Sequence, residues 1–227
     1  MAGASGLVGG LLVDALIDAP DYSRVFALTR RPLGREHAKL ANRIVVFERM
    51  AGQLKGLVVQ DAFCCIGSTM AEAGSEDAFR EADVDAVVLF AQTARAAGAT
   101  RFGVVSSVGA RADAKKFYLR VKGEMEDAVT ALGFPSLDIF QPSLLLGPRK
   151  QMRPLELAGK IFSPLVNPFL TGPREIYRPI EASRVARAMI GAARRGGRGI
   201  YRHTYAGIQQ LADFKPVQSL SAQPAKR

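Results

Sequence analysis

The chain lacks tryptophan altogether, has two cysteines and two histidines in 227 residues, and contains no apolar run of membrane-spanning length. Each scarcity closes off a class of function. Cys64 and Cys65 are neighbours in the apolar run AFCCIG. Adjacent strand residues point to opposite faces, so no bridge is expected, and they read as small buried hydrophobes of a reducing compartment. With only His37 and His203 to add, metal chemistry is not expected. A basic-then-apolar leader is also lacking, which gives the expectation of a cytoplasmic protein without membrane attachment. Acidic residues are outnumbered, 21 against 31 basic, for a formal net charge of +10. The arginines are scattered, with one cluster in ARRGGRGIYRH, and no aromatic platform accompanies them. The excess therefore points to an anionic cofactor or substrate and a solvated basic surface, not to nucleic acid.

What is present is an alternation. RVFALT, NRIVVFE, DAFCCIGST, RFGVVSSVGA and the start of SLDIFQPSLLLG are strand-like apolar runs. LVGGLLVDALID, the stretch from about Glu76 to Ala97, and KKFYLRVKGEMEDAVTAL carry helical spacing between them. Strands that are apolar throughout belong to a parallel sheet covered on both faces, so the fold class is α/β, a doubly wound parallel sheet. Residues 1–213 are expected to form a single domain, with 143–205 contributing a side lobe for substrate and 214–227 a frayed tail. Further helices are expected near PLELAGKIF and EASRVARAMIGAAR, and RRGGRG reads as a solvated basic loop.

Glycines at 3, 6 and 9 in MAGASGLVGG lead straight into the first helix. Such a run makes a tight turn, lets backbone approach a pyrophosphate, and aims helix N–H groups at it. Alone it is also an ordinary tight turn. The next strand ends ALTRRP, where an acidic residue would take the ribose 2′-hydroxyl of NAD. Arg30 and Arg31 suit the 2′-phosphate of NADP instead. Only Met1 and Ala2 precede the run, although a strand at the centre of the sheet is required there. The expectation is a gap, closed by apolar residues encoded upstream, filled by a rearrangement, or left as a defect.

Tyr118 and Lys122 lie four residues apart on a helical pattern and so share a face. An ammonium beside a phenol favours phenolate and makes the pair a proton relay to a carbonyl oxygen. Upstream, the strand VVSS ends in Ser107, whose hydroxyl would orient the same oxygen. Ser106 competes for that role, with Ser107 preferred.

In order, GASGLVG, LTRRP, CCIGST, VVSSVGA, YLRVKGE and FQPSLLLGPR resemble the short-chain dehydrogenase/reductase superfamily. The likeness is to its atypical NADP-binding branch, close to the Tat-interacting-protein-like oxidoreductases. The resemblance runs from residue 3 to about 190. It implies Gly3, Ser5, Gly6, Leu7 and Val8 around the pyrophosphate and Arg30 and Arg31 at the 2′-phosphate. Ile66, Gly67 and Ser68 would lie on the ribose side, with Pro142, Ser143 and Leu144 facing the carboxamide. Ser107 and Tyr118 would be catalytic, and Lys122 would bind the nicotinamide ribose. The implied activity is NADPH-dependent reduction of a small carbonyl substrate by a monomer or homodimer. An NADPH-binding redox sensor and an epimerase or dehydratase are the alternatives. Many members place an asparagine before the serine strand; the nearest residue here is Asp85, in EADVDAVV.

Overall fold

The computed structural model describes residues 1–46, 49–54, 56–147 and 170–215. In chain order the elements are α1 (Leu7–Asp18), β1 (Val25–Thr29), β2 (Leu40–Ile44), α2 (Met50–Gln53), β3 (Asp61–Cys64), α3 (Met70–Ala73) and α4 (Glu76–Arg80). A π turn, Glu81–Asp85, runs without a break into α5 (Ala86–Ala96). Then follow β4 (Arg101–Val105), α6 (Phe117–Ala131), β5 (Ser136–Phe140), β6 (Leu145–Leu146), β7 (Ile180–Glu181), α7 (Ala182–Arg195), β8 (Gly199–His203) and α8 (Tyr205–Ala212).

β1 pairs with β2, and β3, β4, β5 and β8 pair in that order, every ladder parallel. The two groups meet at Ala2, which forms parallel bridges to Leu28 on one side and Cys64 on the other. The strand expected to be missing is therefore represented by two residues. The Met1 amine donates to the Phe26 carbonyl (2.6 Å) and Leu28 N–H to the Met1 carbonyl (2.9 Å). Ala2 N–H donates to Phe63 (2.9 Å) and Cys65 N–H to Ala2 (3.0 Å). Tyr22 reaches from the turn before β1 to the start of β3. Its hydroxyl donates to Asp61 Oδ2 at 2.7 Å and its ring meets Phe63 edge-on.

Both faces of the sheet are covered, which is why the strands are apolar throughout. Phe63 and Phe140 face a core built with α1 and α7, where Leu12, Val13, Val185 and Met189 are buried. Their strand neighbours Cys64 and Ile139 face a second core with α5 and α6, around Val87, Phe90, Met125 and Val129. Besides the short α2, α3, β6 and β7, two elements near the carboxyl end went unread in the sequence. β8 is an edge strand with only His203 buried, so GIYRH has no apolar run to signal it, and α8 is short. The second half of the expected side lobe is thus built into the main sheet, while β6 and β7 form a separate two-stranded pair. PLELAGKIF and most of the tail lie outside the described residues.

The Met1 amine is fully buried, and desolvation, opposed only in part by Cys65 and Cys64, lowers its pKa from 8.0 to about 6. Between those values the unfolded chain binds the extra proton, so stability falls as pH drops through this window. Chemical denaturation of protein starting at Met1 should show a loss of about 2 kcal/mol between pH 8 and pH 6, most of the full effect of two units at about 1.36 kcal/mol each. Acetylating the amine should flatten that dependence.

Candidate nucleotide-binding and catalytic site

A cavity of about 860 Å³ opens at the carboxyl ends of β1 and β3, beside the glycine loop. In an open parallel sheet this is where ligands sit. Of the residues assigned to cofactor binding, Gly3, Ser5, Gly6, Arg30, Ile66, Gly67 and Ser68 line it; Leu7, Val8, Arg31, Pro142, Ser143, Leu144 and Lys122 do not.

The loop is built by close backbone approach. Gly3 has φ +81°, and a Cβ there would stand 2.3 Å from the Cys65 carbonyl carbon. A Cβ on Gly9 would stand 2.0 Å from the Gly3 oxygen. Side chains at these positions would push α1 off the loop and the loop off β3. Gly6 precedes α1 with no side chain capping the helix and no acidic residue in its first turn, which leaves the dipole free to favour an anion. At the β1 end of the cavity, Arg30 and Arg31 are exposed. Neither makes a hydrogen bond or ion pair among the described residues. Arg35, Arg194, Arg195 and Arg202, in contrast, are each committed to a carboxylate.

Ser106 and Ser107 separate cleanly. Ser106 is buried and its hydroxyl donates to Glu126 Oε1 at 2.6 Å, inside a cluster that also joins Gln141 and Arg202. Ser107, just beyond β4, is half-buried, and among the described residues its hydroxyl makes only a marginal 3.5 Å approach to the Val108 carbonyl. Tyr118 packs its ring against Phe79 with centroids 5.6 Å apart. Val108 N–H donates to Pro142 (3.0 Å), and Ser143 donates to the Arg178 carbonyl. Leu144 accepts from Ile180 N–H (2.9 Å), so 142–144 is held between the serine loop and β7.

Lys122 is buried on α6, with its Nζ 2.6 Å from Asp83 Oδ1. Burial alone would push this ammonium's pKa down. The Asp83 carboxylate, with a further contribution from Tyr118, outweighs burial and holds it above the usual lysine value. The aspartate that matters is therefore not Asp85, which is exposed, but Asp83, two residues earlier and completely buried in the π turn. Its Oδ2 accepts from both the N–H and the hydroxyl of Ser68, each at 2.8 Å. A simple helical count does not reveal this, because a π turn carries extra residues. Burial raises both cysteine pKa values, Cys64 to about 12, so neither thiol is poised for chemistry.

No protein-family model matches the chain. Among curated proteins it is 36% identical to Protein HTATIP2 of Rattus norvegicus over 175 residues, 75% of this chain and 72% of that one. It is 32% identical to Protein FMP52, mitochondrial, of Lodderomyces elongisporus over 240 residues, 95% and 97% of the two chains. The expectation of a cytoplasmic protein is corrected by these relatives, since FMP52 of this yeast, of Candida albicans and of Aspergillus clavatus is named mitochondrial. Among solved structures, UDP-glucose 4-epimerase of Thermotoga maritima superposes with TM-score 0.66 at 14% identity, over 93% of this chain and 79% of that one. MoeE5 in complex with UDP-glucose and NAD superposes with TM-score 0.63 at 20% identity, over 89% and 74%. At such identities the likeness is one of fold.

Replacing Ser106 with alanine should cost about 1–3 kcal/mol in urea unfolding, because Glu126 loses a buried donor. Ser107→Ala, whose hydroxyl has no firm hydrogen bond among the described residues, should stay within about 0.5 kcal/mol of the parent.

Proposed function

The chain belongs to the atypical short-chain dehydrogenase/reductases, in the family of HTATIP2 and FMP52, and from that premise we propose that it is an NADPH-dependent reductase of a small carbonyl substrate. The observation that carries the reading is one placement. The ammonium of Lys122 lies just behind the wall of the glycine-loop cavity, one helical turn from the Tyr118 phenol.

The residues present fit a dinucleotide. Gly3 and Gly9 allow the close backbone approach that shapes the loop, the uncapped start of α1 suits pyrophosphate, and Arg30 and Arg31 are uncommitted cations for a 2′-phosphate. The nicotinamide, when bound, supplies the hydride. Lys122 has no second acceptor among the described residues, which leaves N–H donors for ribose hydroxyls. Ser107 would orient the substrate oxygen and Tyr118 would give it a proton, with Pro142, Ser143 and Leu144 closing the far side. The mitochondrial names of the fungal relatives support a mitochondrial address.

A second reading, epimerisation of a nucleotide-linked sugar, draws on the UDP-sugar titles of the solved neighbours. It requires nucleotide that is held without net oxidation or reduction, and steady NADPH consumption with a free carbonyl compound excludes it.

Two measurements test the proposal. Fluorescence titration should show NADPH binding roughly tenfold to hundredfold tighter than NADH, the worth of one or two charge-assisted hydrogen bonds. Replacing Arg30 and Arg31 with alanine should erase that preference; equal affinities in the parent would remove the assignment. In a panel of aldehydes, ketones and quinones, Tyr118→Phe should lower turnover by about 10²–10⁴-fold and leave NADPH affinity in place.

A further inference from the structure

The buried pair of Asp83 and Lys122 is not accounted for by nucleotide binding or by packing. A lysine could reach ribose hydroxyls without a partner, and burying two charges is expensive even when they are paired. Asp83 nevertheless spends both oxygens on the site. Oδ1 has Lys122 Nζ, at 2.6 Å, as its close polar neighbour among the described residues, and Oδ2 takes both donors of Ser68 on the cavity wall. Gly67 completes the arrangement: a Cβ there would stand 3.4 Å from Lys122 Nζ and 3.5 Å from Asp83 Oδ1. Only a glycine's width separates the cavity from the pair.

We infer that Asp83 is a positioning residue, the counter-ion that fixes Lys122 against the cavity wall and sets how much of its positive charge reaches Tyr118. This rests on the reading of Tyr118 and Lys122 as the proton-donating pair. Lysine and aspartate together carry no net charge, so the phenol faces a dipole and not a bare ammonium. The other ionisable groups around the pair leave this balance intact. Cys64, on β3, stays a thiol. Arg80 on α4 is paired with Glu124 on α6, and Glu126 is occupied by Ser106, Gln141 and Arg202. Arg111 is paired with Asp113, Arg120 lies over the Phe117 ring, and Lys115, Lys116, Glu81 and Asp85 are exposed to solvent.

The test is a spectroscopic titration of Tyr118 without nucleotide or substrate. There are five tyrosines and no tryptophan, so tyrosinate absorbance has no indole background, and subtracting the Tyr118→Phe curve isolates one phenol. Lys122→Met leaves Asp83 an unpartnered carboxylate and should put the Tyr118 midpoint above that of the Asp83→Asn/Lys122→Met double variant, as expected for a like charge near a phenol. In a Lys122→Arg background, where the cation stays charged at the pH of phenol ionisation, adding Asp83→Asn should move the midpoint down. Coincident curves in either comparison overturn the inference, and if one pair fails to fold the other decides. Because nothing turns over in this titration, it stands apart from the carbonyl panel. Shifted midpoints with no reducible substrate would defeat the reductase reading alone, and reduction with unshifted midpoints would defeat this inference alone.

Discussion

Everything in this molecule hangs on satisfying the backbone at the centre of a parallel sheet. A strand there is flanked on both sides, and each unpaired N–H or C=O in such a place costs about as much as a lost hydrogen bond. Met1 and Ala2 meet that demand with four hydrogen bonds, two to each neighbour. They join the pair β1–β2 to the four strands beginning at β3, and they deliver the chain into Gly3 at the one point where it can rest on Cys65. The cavity, the glycine turn and the start of α1 inherit their positions from these bonds.

Much of this was legible because it is repetitive physics. Continuous apolar runs such as AFCC and FGVV are what a sheet covered on both faces demands, and Phe63 and Cys64 do face different cores. The helix from Glu76 and the helix carrying Tyr118 fall where periodicity puts them. The illegible parts lack that regularity. β8 has a mostly exposed edge, and its glycines and arginines resemble a loop. Tyr22 reaches β3 from a turn that no periodicity marks. Asp83 and Asp85 look equivalent in EADVDAVV until the π turn buries the first and exposes the second.

The positive surplus has a structural side as well. Arginines dock carboxylates around the rim of the fold: Arg101 to Asp61, Arg194 to Asp21, Arg184 to Asp213. Asp138, buried on β5, receives both Arg195 and His203, and so ties the edge strand and α7 to the interior. Partly exposed pairs of this kind add little energy individually. Their effect is to spend cations on architecture, which makes the uncommitted guanidinium groups beside the cavity stand out.

The π turn also bears on how this helix tolerates change in length. Such turns hold a surplus residue within an otherwise α-helical ladder. Removing one residue between 81 and 85 would let the ladder close in ordinary α register. Because the widened turn absorbs the surplus, Glu76–Arg80 and Ala86–Ala96 would keep nearly the same relative orientation, and the residues within 81–85 would be the ones displaced. Such a deletion would leave both flanking helices in place and still move Asp83 away from Lys122, so the surplus residue is itself part of the site's specification.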